Sequence, residues 1–131
     1  MASLFLKQGN LAAAWQHAWR SWEASQRSQQ SLFYGVAYCA LGEVVTELKT
    51  VPEPNFSTDP DEYFQKALLA FREIGAERDT AYVLLAHARS LAKRGERMSA
   101  VSKFQQAILI FNRLGMTYNT ARAAKEQLEL V

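Results

Sequence analysis

Two histidines, one cysteine and two closely spaced glutamates are the residues of this 131-residue chain whose types invite a search for chemistry. A zinc site on a helix needs a second imidazole at a fixed interval, as in H-x-x-x-H or H-E-x-x-H, and neither His17 nor His87 has one. Both read as structural residues of helix faces. Cys39 has no resolving cysteine and no adjacent base, and its neighbours Tyr38 and Ala40 point to packing. Glu43 and Glu47 stand four apart on one helix face, where paired carboxylates could exchange a proton or hold a cation. The reading adopted for them is solvated surface. Gly35, Gly42 and Gly95 stand singly, so no glycine-rich loop cradles a phosphate. The pattern predicts no catalytic residue, metal or cofactor, and hence no enzyme.

The remaining charge forms two groups. Arg89, Lys93, Arg94 and Arg97, with Lys103 nearby, contrast with Glu43, Glu47, Glu53, Asp59, Asp61 and Glu62. Such groups are either solvated helix faces or a polar groove in which Arg and Lys meet the carboxylates of a partner. The overall balance of 15 basic and 13 acidic side chains leaves +2, too little for general nucleic-acid or polybasic membrane binding. No apolar run approaches the roughly 18 to 20 residues that cross a bilayer. The N-terminus lacks a basic region ahead of an apolar one, so no signal peptide is expected. A lone cysteine allows no internal disulfide, and the expected location is cytoplasmic.

The elements that carry these residues are helices. Alanine supplies twenty positions, whereas Val, Ile and Thr together supply sixteen, too few for a sandwich or barrel. Pro52, Pro54 and Pro60 fall in one nine-residue window, which makes 49–59 a loop because each proline blocks helix continuation. That loop is expected to be mobile and dispensable for folding. Periodic apolar stripes such as Leu84, Leu85, Ala88, Leu91, Ala92 and Phe104, Ala107, Ile108, Phe111 predict helices near 10–27, 30–49, 60–74, 78–94, 97–113 and 117–130. A further short helix is expected at 2–7. Asp79 or Thr80 and Asn119 or Thr120 are expected as N-caps, and Gly75 and Gly115 as C-terminal glycines.

Internal repetition orders these helices. Phe71-Arg-Glu-Ile-Gly75 recurs as Phe111-Asn-Arg-Leu-Gly115, and Asp79-Thr-Ala81 as Asn119-Thr-Ala121, both after 40 residues. Phe64, Ala67, Leu68 and Phe71 recur as Phe104, Ala107, Ile108 and Phe111 at the same offset. Trp15, Ala18, Trp19 and Trp22 form a third copy, displaced by 49 because of the proline loop, which marks the tryptophans as core. A period of two helices indicates stacked hairpins, each burying its face against the next. Alanine between aromatic residues lets neighbouring helices approach closely.

The alanine, aromatic and alanine of Ala100, Phe104 and Ala107 after the Gly95 turn resemble the tetratricopeptide repeat. The unit at 81–114 departs from that pattern at Leu84, where the family prefers tryptophan, and at His87, where it prefers leucine. The two Phe-x-x-Ile/Leu-Gly segments are similar to the ~40-residue repeats in effector arms of bacterial signalling ATPases, cyclases and transcriptional regulators. The resemblance implies an all-α, right-handed superhelical array of about six helices in antiparallel hairpins. The single domain, 1–131, divides into units near 1–29, 30–76, 77–115 and an incomplete 116–131, and is expected to be part of a longer protein.

The resemblance also implies a non-catalytic module that binds a protein or peptide on the concave face lined by the first helix of each hairpin. A regulatory or ligand-sensing arm of a larger signalling protein is the alternative. Carried onto this sequence, the concave positions are Tyr82, Leu85, Arg89, Ala92 and Lys93, then Arg122, Lys125 and Glu129, and upstream Phe33, Val36, Ala40, Glu43 and Val44. This surface is apolar at one end and basic at the other, and suits a segment with apolar anchors followed by carboxylates. No nucleic acid or membrane is expected as partner. Incompletely covered ends could pair two copies of the chain.

Overall fold

A computed structural model describes residues 10–28, 30–48, 51–53 and 55–130. The periodic stripes form six helices: α1 (Leu11–Ser28), α2 (Ser31–Glu47), α3 (Pro60–Glu73), α4 (Glu77–Lys93), α5 (Arg97–Arg113) and α6 (Thr117–Leu128). There is no strand among the described residues. The short helix expected at 2–7 lies outside them.

The helix ends follow from local chemistry. Asn10 Oδ1 accepts from the Ala13 amide at the start of α1, and Asp59 Oδ1 accepts from the Asp61 amide at 3.0 Å to cap α3. Pro60 occupies the first position of α3, where no amide donor is needed. Gly75, Gly95 and Gly115 have φ of 66°, 80° and 73°, a left-handed conformation that favours glycine. Just beyond them the amides of Ala76, Glu96 and Met116 return to the carbonyls of Phe71, Leu91 and Phe111, each at 2.9 Å, closing α3, α4 and α5.

These tight turns correct the expected caps of α4 and α6. The next helix starts two residues after the glycine, at Glu77 and Thr117, which places Asp79, Thr80, Asn119 and Thr120 inside the first turn. The Thr80 and Thr120 hydroxyls donate to the carbonyls of Ala76 and Met116.

Contacts fix the directions of the helices. Gly35 and Gly42, early and late in α2, face Phe71 and Phe64, late and early in α3, so the two helices are antiparallel. Arg113 at the end of α5 pairs with Glu77 at the start of α4, making a second antiparallel pair. Ser90 of α4 shares a hydrogen bond with Thr46 of α2 at 2.6 Å, and Lys93 pairs with Glu47, so the C-terminal ends of α2 and α4 lie side by side. Asn119 with Tyr82 and Glu126 with Arg89 align α6 with α4 in the same way. Helices α2, α4 and α6 are therefore parallel, and each hairpin partner returns against them.

The repeat becomes a continuous core. Phe64, Ala67, Phe71, Ala81, Leu84, Ala88, Ala100, Phe104, Ala107 and Phe111 are buried in one cluster. A second cluster joins Ala14, Trp15 and Ala18 of α1 to Leu41, Val44 and Val45 of α2 and to Tyr63 of α3. Described residues of the proline loop pack on this cluster, which argues against a dispensable connection. Phe56 packs on Trp15, Trp19 and Trp22, with ring centroids 6.4, 5.0 and 4.9 Å away, and Val51 packs against the same cluster. The Tyr63 hydroxyl donates to the Ser57 carbonyl at 2.6 Å, tying the loop to α3. Through Phe56 the loop covers part of the tryptophan stripe of α1.

Candidate functional site

The parallel helices α2 and α4 leave a concavity where the first helices of two successive hairpins meet. A cavity of about 320 Å³ is lined by His17 and Ser21 of α1, Val36, Cys39, Ala40 and Glu43 of α2, Phe71 of α3, and Asp79, Tyr82 and Val83 of α4. Two of the lining side chains are large, apolar and left exposed by the core, Val36 at 49% and Tyr82 at 41%, and Phe33, one turn before Val36 on α2, is 48% exposed. The Tyr82 ring is held edge-on to Phe111 at 5.3 Å, and its hydroxyl accepts from Asn119 Nδ2. A smaller cavity of about 60 Å³ lies beyond it, lined by Glu43, Thr46, Ala86, Arg89, Ser90 and Lys93. Glu43 borders both.

Glu43 departs most from its sequence reading as open surface. It lies half-buried in the cavity wall, and loss of water raises its pKa even though Arg89, the Cys39 thiol and Lys93 act in the opposite direction. The hydrogen-bonding groups of Arg89 and Lys93 are directed elsewhere. Arg89 Nε and Nη2 donate to the two carboxylate oxygens of Glu126, both at 2.9 Å, and Lys93 pairs with Glu47. The one hydrogen-bond partner of Glu43 among the described residues is the Cys39 thiol, 3.9 Å away. Burial, followed by the Glu43 charge, pushes the Cys39 thiol up, so the sulfur stays protonated and weakly nucleophilic.

Three expected surface positions are corrected. Leu85 is only 6% exposed and sits in the main core, because the residue one turn beyond Tyr82 that reaches the groove is Ala86. Val44 is fully buried with Leu41 and Trp15, since the step from Glu43 rotates it toward α1 and α3. Ala92 is also turned against the core. Ala40 remains in the cavity wall. Arg122 and Lys125 of α6 and Glu129 at its C-cap are exposed. The basic end is less basic than expected, because Glu126 and Glu47 neutralise Arg89 and Lys93. Glu126 lies one 40-residue period after Ala86, and choosing Ala86 instead of Leu85 would have found it in the sequence.

The other sequence candidates are structural or belong to the cavity wall. His87 is buried and stacks on Phe64 at 4.9 Å, with Nε2 2.8 Å from Asp61 Oδ1. An ionised Asp61 can only accept, so Nε2 carries the proton, while the buried Nδ1 has no partner. Burial lowers the His87 pKa against the attraction of Asp61. Two bonds from Arg94 hold Asp61 below the usual carboxylate range. His17 borders the 320 Å³ cavity.

Among the described residues no group of three or more His, Cys, Asp and Glu side chains could hold a metal, and no helix is long and apolar enough to cross a membrane. The arrangement offers shape, apolar contact and one desolvated carboxylate. No family model, curated protein or solved structure matches the chain.

Proposed function

We propose that this chain is a non-catalytic binding module of the tetratricopeptide type, whose α2, α4 and α6 form the inner face of a right-handed array and receive a segment of a partner protein. The observation that carries this reading is the 320 Å³ cavity between the parallel helices α2 and α4, lined by the exposed Val36 and Tyr82, with Phe33 exposed nearby in sequence on α2. Exposed aromatic and aliphatic side chains around a concavity suit apolar anchors of a helical or extended segment. Beyond them, Arg122 and Lys125 make no ion pair among the described residues and are available to carboxylates of the same segment. Arg89 and Lys93 contribute less, because an incoming carboxylate must displace Glu126 or Glu47. The lone half-buried thiol suits a cytoplasmic setting.

Outer helices α3 and α5 also expose apolar residues, Leu69 at 68% and Leu109 at 70%, and the test must separate the two faces. Partners retained by the wild-type chain are identified and their affinities measured against Phe33→Asp with Tyr82→Asp and against Leu69→Asp with Leu109→Asp. Loss of binding in the first pair alone supports the inner face; loss in the second alone places the site on the outer helices.

The same cavity favours a second reading, a ligand-sensing arm of a larger signalling protein, because its walls come from α1 and from two successive hairpins, and a bound molecule would bridge them.

A further inference from the structure

We infer that the 320 Å³ cavity is a receptor for an ammonium or guanidinium group carried on an apolar stem. The inference rests on reading the inner face as the binding surface and names the chemistry its cavity wall recognises. The cavity has the size of a small-ligand site, and its walls are mixed: Val36, Ala40 and Val83 supply apolar contact, while Glu43 and Asp79 supply negative charge from facing helices. A carboxylate out of water is costly unless a cation is bonded to it. Among the described residues Glu43 hydrogen-bonds only with the Cys39 thiol, a weak donor, at 3.9 Å.

Arg89 and Lys93, the cations among the described residues that act on Glu43, do not hydrogen-bond to it. Arg89 is engaged by both oxygens of Glu126, and Lys93 is engaged by Glu47. Asp79 makes no hydrogen bond or ion pair among the described residues. A cation entering between α2 and α4 would supply Glu43 with the charge-assisted hydrogen bonds it lacks, while its stem lies against Val36 and Tyr82. A basic residue of a partner segment and a free organic amine share this chemistry. An anionic ligand would meet both carboxylates and is disfavoured.

The test uses benzylamine as the cationic probe and benzyl alcohol as its neutral counterpart, titrated into the full chain and followed by amide chemical shifts. Benzylamine should saturate with shifts centred on Val36, Cys39, Glu43 and Tyr82, and benzyl alcohol should bind at least about tenfold more weakly. Glu43→Gln should weaken benzylamine by about ten- to a hundredfold, the loss of one charge-assisted hydrogen bond. Val36→Trp should block the cavity and abolish binding while the melting transition shows the fold intact. Equal binding of the two probes, an unaltered affinity in Glu43→Gln, or shifts centred outside the cavity would overturn the assignment.

A second arm titrates a short amphipathic peptide with one lysine and the same peptide acetylated at that lysine. Tighter binding of the unmodified peptide than of benzylamine assigns the cation to a protein segment, and the reverse order assigns it to a free amine. If neither probe nor peptide enters the cavity while the inner-face aspartate variants still abolish partner binding, the cation site fails and the binding surface stands.

Discussion

A methyl group added at Gly35 would lie 2.5 Å from the Phe71 ring, and one at Gly42 would lie 2.9 Å from the Phe64 ring. Alanine is the better helix former by about 1 kcal/mol, yet both rings are buried and cannot move freely. Overpacking of this kind costs about 1 to 3 kcal/mol. Gly35→Ala should therefore lower stability in urea unfolding; unchanged or increased stability would show that Phe71 yields easily. Reading these glycines as single excludes a phosphate loop, but the rings that require them lie in the next helix, beyond the reach of local spacing.

Protonation separates two further residues. Burial holds His87 below 6.5, so the unfolded chain binds that proton more tightly, and stability falls as pH drops through 6.5 toward the folded-state value. Glu43 has the opposite sign. Its raised pKa gives stability that is fully present below 4.5 and lost as pH rises through the folded-state value. The melting temperature of Glu43→Gln relative to wild type should therefore rise between pH 4.5 and neutrality. A constant difference would mean that Glu43 is as well solvated as its spacing from Glu47 suggests.

At the scale of elements, the helix boundaries were legible because apolar periodicity and the glycine turns repeat along the chain. The proline loop was only half legible. Three prolines determine that the backbone cannot be helical, but nothing in their spacing says that Phe56 closes over Trp15, Trp19 and Trp22. Phe56→Ala should cost about 3 kcal/mol, at the lower end of the range for large aromatic truncations because the ring is partly exposed. It should also shift tryptophan fluorescence to the red. Retained stability with unshifted emission would return the loop to a dispensable connection. Asp59→Ala removes the cap of α3 and should cost about 1 kcal/mol in the same assay.

For the whole molecule, the 40-residue period correctly placed Ala67 and Ala107 at fully buried positions facing neighbouring helices. Ala107→Leu should lower stability by about 1 to 3 kcal/mol, and a melt matching wild type would contradict that packing. Spacing alone put Val36, Tyr82, Arg89 and Lys93 on one side of their helices, where they line the two cavities. It failed at Leu85 and Val44, where a shift of one residue, about 100° around a helix, separates groove from core. The ion pairs across α2, α4 and α6 were hidden because charge signs along a sequence do not reveal which carboxylate meets which cation.

Binding at the face shared by α2, α4 and α6 is the central claim, and amide hydrogen exchange of the chain with and without a captured partner tests it most directly. Slowed exchange in α2 around Phe33 to Glu43, in α4 around Tyr82 to Lys93, and in α6, with α3 and α5 unchanged, is the predicted footprint. Protection confined to α3 and α5, around Leu69 and Leu109, would contradict it.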